Sequence, residues 1–459
     1  MTLIDAAPAL PSLGDAFAGS VVYPDDAAWD EARQAYNLTI DQQPVAVAFP
    51  ADERHVQAIV RHAAARGLRV AAQRTGHNAA PLGSLADTIL LRTDRLDSVE
   101  IDRAALRARV GAGVKWESVV PRASELGLAC LHGSTPDVSI AGYGLGGGVG
   151  WYGRKHGLFT NSITAIELVT ADGRLRRVDD EHEPELFWAL RGGGGSFGIV
   201  TALEFELFPI AEVYAGALFF PYERSAEVLQ AWLDWTKTVP DEVTSVGRLL
   251  QFPPLELVPE QFRGKSFAIV HAYVLGTEEE GSRLLAPLRA LGPAIDTFAT
   301  VPPVALSEMH MDPPDPVPYL GEHAVLDGLD PAAVDAFVAA AGPGSGSTLV
   351  SVEIRHAGGA LGRGSVEHGA LDKLPGDYLY FGVGMVVDEA SAIATREDLR
   401  RITGALAPYR SGSYLNFEED RVDASAFFGE DTYGRLRDVK ASVDPRDLFK
   451  ANHPIPPAR

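Results

Sequence analysis

Four stretches of this chain pair glycine runs with side chains able to bond to carbon or exchange a proton. They are Arg74-Thr75-Gly76-His77-Asn78, His132-Gly133-Ser134-Thr135-Pro136, the run from Gly142 to Gly150, and Arg191-Gly192-Gly193-Gly194-Gly195-Ser196-Phe197-Gly198. Consecutive glycine N–H groups form a concave anion site, because no Cβ keeps a phosphate from the backbone. His77 adds a nucleophile, since a neutral imidazole nitrogen offers a lone pair to an electrophilic carbon. Taken singly, each run is a tight turn and His77 a capping or solvated residue. Taken together, within residues 74–198, they read as a cradle that holds a dianionic cofactor by backbone donors.

Two of the runs match the dinucleotide fingerprint G-x-G-x-x-G, through Gly142, Gly144, Gly147 and through Gly193, Gly195, Gly198. That fingerprint requires a helix to open directly after it. The first is followed by Val149-Gly150-Trp151 and the second by Ile199-Val200-Thr201, a strand sequence, so a Rossmann domain is set aside. Candidate proton acceptors lie further on. In Ser351-Val352-Glu353-Ile354-Arg355-His356, strand periodicity puts Glu353 and Arg355 on one face and His356 on the other. Such a pair is a structural ion pair or a catalytic one. The 12 histidines show no ligand spacing, so no metal is expected.

The elements that must position these residues fall into regions of different texture. A short strand over 45–49, a helix with Val56, Ile59, Val60 and Ala63 at helical spacing, and a strand over 68–72 form a βαβ unit. Strands over 88–91, 98–102, 108–110, 163–170, 175–178 and 199–207 follow, with a hairpin turn at Ala171-Asp172-Gly173. A helix over 116–126 is expected, with Pro121 admissible only in its first turn. Residues 212–410 carry longer alternating strands (217–220, 267–274, 349–354, 378–383) separated by helices. Trp232 and Trp235 are expected in the core, and the Pro-rich stretch 301–318 as a long surface loop. The fold class is therefore α+β.

Composition narrows the function. The chain has 459 residues, enough for about three domains of roughly 150 residues. Asp plus Glu (62) less Lys plus Arg (40) leaves −22, a balance that repels nucleic acid and anionic lipid. Cys130 is the sole cysteine, so no intramolecular disulfide forms. Residues 1–20 lack the basic residue and apolar run of a secretory leader, and no stretch reads as a membrane span; a cytoplasmic protein is expected.

The motifs, in this order, resemble the berberine-bridge-enzyme-like FAD-linked oxidoreductases of the vanillyl-alcohol oxidase superfamily, whose FAD-binding domain is of the PCMH type. The resemblance spans Tyr23-Pro24-Asp25-Asp26, the four glycine stretches, Arg154-Lys155-His156-Gly157-Leu158, Glu185-Leu186-Phe187-Trp188, Tyr414-Leu415-Asn416 and Asp444-Pro445. It implies a two-subdomain FAD-binding domain over 1–211 (core 40–210). It further implies a substrate domain over 212–411 with an antiparallel sheet covered by helices, and a C-terminal segment over 412–459 that returns to the FAD domain.

The same resemblance implies a single 8α-histidyl bond between His77 and FAD. Thr135 stands where bicovalent relatives carry a cysteine, and a hydroxyl does not replace a thiolate; Cys130 reads as core. The cofactor contacts implied are Arg74, Thr75, Gly76, His77, Asn78, Thr135, Ser139, Gly142, Gly146, Gly147, Gly148, Val149, Gly198, Ile199, Val200, Asn416 and Asn452. Tyr143, at a position often histidine in the family, is implied near the flavin N1/O2 edge. Phe417 replaces a family tyrosine, which leaves Tyr414 first and Glu353 second as the base. The implied reaction oxidises a C–H next to oxygen or nitrogen in a small molecule, with hydride passing to flavin N5 and oxygen as acceptor, in a monomer or homodimer. The alternatives are a flavin-dependent cyclase or monooxygenase, or a flavin-binding protein without oxidase activity.

Overall fold

Val56, Ile59, Val60 and Ala63 form the buried stripe of helix Glu53–Arg66. Asp52 caps the helix by accepting from the His55 N–H at 2.9 Å, and Gly67 ends it at φ 66°. The computed structural model of the chain describes residues 13–16, 20–256 and 258–459. The 1–20 stretch read for a leader, and with it the start of the first domain, lies largely outside them. Among the described residues no helix is long and apolar enough to cross a membrane.

The described residues build three sheets. In the first, Ala46–Phe49, Thr88–Arg92 and Arg69–Gln73 are parallel, with Ser20–Val22 antiparallel at one edge. The second is antiparallel, in the order Val99–Asp102, Arg107–Gly111, Ile199–Glu206, Ile163–Val169, Leu175–Val178. The hairpin turn at Gly173 takes φ 73°. Helix Trp116–Glu125 keeps Pro121 in its second turn rather than in the first, where it was expected. Val119, Val120 and Ala123 are buried, so packing of this face outweighs the missing N–H.

The third sheet takes its strands from residues 213–412, antiparallel throughout, with Val243–Gln251, Ser351–His356 and Tyr378–Met385 near its centre. Alternation decides its two faces. Leu249, Val270, Val352, Ile354 and Tyr380 pack with Trp232, Trp235 and Phe337 under the helices. The opposite face aligns Arg248 with Glu353 and Phe381, and Val246 with His271 and Arg355. His356 stacks on Tyr378, away from that face, as the strand period requires.

Two features tie this sheet to the rest of the chain. The 301–318 stretch is a strap rather than a loop in solvent. Tyr36 Oη donates to the Pro313 carbonyl at 2.6 Å, Val317 pairs with Asn37, and Leu306 and His310 are buried. At the C-terminus, the Val70 N–H donates to Leu448 and the Lys450 N–H to Val70, so the tail adds to the parallel sheet. Lys440 and Asp444, both 0 % exposed, bond at 2.6 Å, and Asp444 also accepts from the Leu448 and Phe449 N–H groups. Lys440→Met leaves that carboxylate buried and unpaired. The urea midpoint is expected to report a loss of about 3–5 kcal/mol.

Candidate active site

Strand Arg69–Gln73 runs into a turn at Gly76, where φ is 82° and a Cβ would stand 2.9 Å from Ala35. Only glycine suits that turn, and it throws His77 sideways onto Tyr36. The two rings stack with centroids 3.8 Å apart. His77 Nδ1 lies 2.8 Å from Thr75 Oγ1, while Nε2 is sealed without a hydrogen-bond partner, 3.4 Å from Asp137 Oδ2. Burial pushes the imidazole down to about 3, against the pull of Asp312, so the ring is neutral and keeps its lone pair. Burial raises Asp137 to about 6, against Lys115. Beside the turn opens a cleft of about 580 Å³, bounded by Tyr36, Arg74, Thr75, Lys115, Asp137 and Pro314.

The structure gathers several of the expected cofactor residues into one hydrogen-bonded knot. Asn452 donates to the Asn78 carbonyl, and Asn78 Nδ2 to the carbonyls of Leu415 and Asn416, each at 3.3 Å. Asn416 Nδ2 donates to the Tyr143 carbonyl at 2.9 Å and to Tyr414 Oη at 3.0 Å. Tyr414 Oη also accepts from the N–H groups of Gly148 and Val149, at 2.8 and 3.1 Å. Gly146 and Gly147 fit beneath this knot; a Cβ on Gly146 would fall 1.8 Å from Asn416 Oδ1. The C-terminal segment therefore sets the path of the glycine loop.

The remaining expected residues divide by what they touch. Gly142 is exposed, and a Cβ there would meet nothing within 4 Å. Ser139 Oγ donates to Ala112 at 3.4 Å. Gly198 opens onto strand Ile199–Glu206, with Ile199 and Val200 buried; its own requirement is packing, since a Cβ would lie 2.6 Å from Leu168. The Arg74 guanidinium is held by Asp94 at 2.9 Å and the Gly113 carbonyl at 2.8 Å, which leaves this turn its backbone amides for an anion. Thr135 donates to Asp312 Oδ2 at 2.6 Å. Cys130 is buried, its thiol pushed up to about 12. Arg154 is buried and donates to the carbonyls of Val243 and Ala357.

The three expected catalytic residues meet different surroundings. Tyr143 gives its hydroxyl proton to the Leu131 carbonyl at 3.1 Å. Tyr414 receives three N–H donors; burial pushes its hydroxyl up to about 12, only partly offset by Gly148 and Val149. A phenol so placed is an anchor for the loop. Tyr414→Phe strands those donors, at a cost of about 1–3 kcal/mol in unfolding free energy. Any catalytic rate is expected to change less than about tenfold. Glu353 lies on the polar face of the large sheet, with Oε1 2.6 Å from Arg355 Nε. Burial pushes its carboxyl up, but Arg355, His310 and Arg248 outweigh that and hold it ionised. Arg355 in turn lies 5.2 Å over the ring of Phe417, which packs on Phe381 at 4.8 Å.

Sequence reasoning missed His310, Asp312, Arg248, Tyr319 and Glu419. Tyr319 Oη donates to the His77 carbonyl at 2.9 Å. Glu419 accepts from the Gly321 N–H at 3.0 Å, and burial raises it to about 7. A histidine two residues before an aspartate inside a proline-rich strap was the available signal for the first two. His323, buried, accepts from the Tyr414 N–H at 2.8 Å, and burial presses it to about 3. Because its folded value lies below the ordinary 6.5 or so, this contribution is complete above that pH and lost as pH falls toward 3. Hydrogen exchange at residues 414–417, corrected for intrinsic rate, is expected to speed up between pH 7 and 4.

Comparison with known proteins agrees with this layout. A family model described as FAD binding domain matches residues 44–179, and one described as berberine and berberine like matches 413–456. The (R)-6-hydroxynicotine oxidase of Paenarthrobacter nicotinovorans is 30 % identical over 292 residues, 62 % of this chain and 60 % of that enzyme, so the match spans less than two thirds of its length. The structure of 6-hydroxy-D-nicotine oxidase from Arthrobacter nicotinovorans superposes with a TM-score of 0.83 at 26 % identity, covering 96 % of this chain and 98 % of that one. A glucooligosaccharide oxidase from Acremonium strictum, with 6-S-cysteinyl, 8α-N1-histidyl FAD, shares the fold with a TM-score of 0.81 at 22 % identity, covering 97 % and 98 %.

Proposed function

Because the chain belongs to the FAD-dependent oxidoreductases of the vanillyl-alcohol oxidase superfamily that join an FAD binding domain to a berberine-like segment, we propose that it oxidises a C–H next to oxygen or nitrogen, with FAD bonded to His77 alone. The residues fit such a group. His77 Nε2, Asn78 Oδ1 and Asp137 Oδ1 are buried without hydrogen-bond partners. The observation that carries the reading is the neutral imidazole of His77, its Nε2 buried without a hydrogen-bond partner 3.4 Å from Asp137. The glucooligosaccharide oxidase supplies the precedent for a histidyl bond. Its second bond is to cysteine, and the hydroxyl of Thr135, committed to Asp312, offers no equivalent. We take 1–211, 212–411 and 412–459 as the FAD-binding, substrate and returning segments.

FAD held there would supply an acceptor for the electron pair of the substrate C–H, with oxygen as the proposed final acceptor. The chain's own work is to bind, orient and accept a proton. Tyr414 and Asn416 fix the glycine loop, and Tyr319 fixes the carbonyl of His77. Glu353, ionised and held by Arg355, takes the proton from the substrate heteroatom. Phe381 and Phe417 pack together on the same face.

The test is anaerobic bleaching of the purified yellow protein against a panel of alcohols, sugars, oligosaccharides and cyclic amines, followed by peroxide measurement in air. Bleaching with peroxide formation is the expected result. A panel that leaves the spectrum unchanged overturns the oxidase reading in favour of a flavin-binding protein.

A further inference from the structure

On the polar face of the large sheet, one imidazole touches two carboxylates. His310 Nε2 lies 2.8 Å from Glu353 Oε2, and Nδ1 lies 2.7 Å from Asp312 Oδ1. An ionised carboxylate only accepts. Both contacts are hydrogen bonds only when both ring nitrogens carry protons, or when one carboxyl does. Arg355 at 2.6 Å and Arg248 at 3.6 Å favour the ionised Glu353. Thr135 donates to the other oxygen of Asp312. The two protons therefore belong on the ring.

The backbone is bent to make this bridge. Met311, between the two, has φ 60°, a left-handed conformation that costs any residue with a Cβ. Its side chain is exposed, so packing of Met311 does not account for the bend. Arg248 Nη1 fixes the bend by donating to the His310 carbonyl at 2.6 Å. The groups facing the ring are Glu353 and Arg355 on one strand, Arg248 on the next, His271 and Tyr273 beyond it, and Asp312 on its own strap. The ring of Trp151 lies 5.7 Å away.

We propose that His310 is a positioning residue for the base: donating from both ring nitrogens, it locks Glu353 against Asp312 and Thr135, and so ties the substrate sheet to the loop at the cofactor. This rests on the oxidation proposed above, with Glu353 as proton acceptor. The left-handed bend at Met311 exists to aim His310 and Asp312 at opposite ends of that link.

The test uses the flavin-loaded enzyme with ¹⁵N-labelled histidine. Near neutral pH, His310 is expected to show two protonated nitrogens and two downfield N–H proton signals. Asp312→Ala removes the Nδ1 signal, Met311→Gly keeps both, and Met311→Val, β-branched, loses both. For any panel compound that bleaches the flavin, His310→Gln lowers the limiting bleaching rate about 10²-fold with its concentration dependence unchanged. A bare nitrogen on His310 in the unmodified enzyme, or signals indifferent to Asp312→Ala, overturns the proposal. The spectra need no substrate, so a panel that fails to bleach removes the oxidase reading and still leaves His310 decided.

Discussion

His77→Ala is expected to yield a protein whose flavin, if it binds at all, stays in the supernatant after acid precipitation, while the unmodified protein precipitates yellow. The effect is all or none, because a covalent bond survives unfolding and a cradle of hydrogen bonds does not. The imidazole is prepared for that bond in two ways. It is neutral at working pH, and one face is covered by Tyr36 at 3.8 Å, which fixes the direction of its lone pairs. Far-ultraviolet circular dichroism should be unchanged, since His77 sits in a turn that Gly76, not the imidazole, shapes. Acid-soluble flavin from the unmodified protein would sink the single-bond assignment. Thr135→Cys in the His77→Ala background places a thiol in the loop beside Asp312, and flavin that then precipitates with the protein separates loss of the histidyl bond from loss of the cradle.

Glu353→Gln is expected to slow anaerobic flavin bleaching about 10²–10⁴-fold, the usual contribution of a positioned general base. The amide matches the carboxylate in shape but cannot take a proton. Flavin content should not change, because Glu353 touches Arg355, His310 and Arg248 rather than the glycine turns. Stability is expected to fall by about 3–5 kcal/mol, as the buried Arg355, Arg248 and His310 lose their counter-charge. The contrast with Tyr414→Phe decides between the two bases. A phenol that only anchors Gly148 and Val149 affects unfolding more than rate, and a catalytic one does the reverse. Equal rate losses in both variants would return Tyr414 to the mechanism.

Much of the cofactor half was legible along the chain. Helix Glu53–Arg66 with its Asp52 cap and Gly67 stop, the hairpin at Gly173 and the strand after Gly198 arise from local spacing and turn chemistry. The failure of both glycine fingerprints as a Rossmann motif was legible too, because the residues that decide it are immediate neighbours of each glycine run. The strand period put Glu353 and Arg355 on one face, which the sheet register reproduces. The strap was not legible, since proline content reports backbone stiffness alone. Nothing local says that the stiff segment lies across Tyr36.

The partners of the polar residues come from distant segments. Thr135 meets a partner 177 positions away, Tyr414 meets the glycine loop from 266 away, and Glu353 meets His310 from 43 away. From the linear order, Tyr414 and Glu353 were both candidates for the base; the structure adds three donors on the first and a guanidinium on the second. The amino-acid order alone determined which segments turn and which alternate. Tertiary structure decided which carboxylate is ionised and which hydroxyl is already bonded. Periodicity is a property of neighbouring residues, whereas burial and hydrogen-bond pairing exist only once the chain has closed on itself.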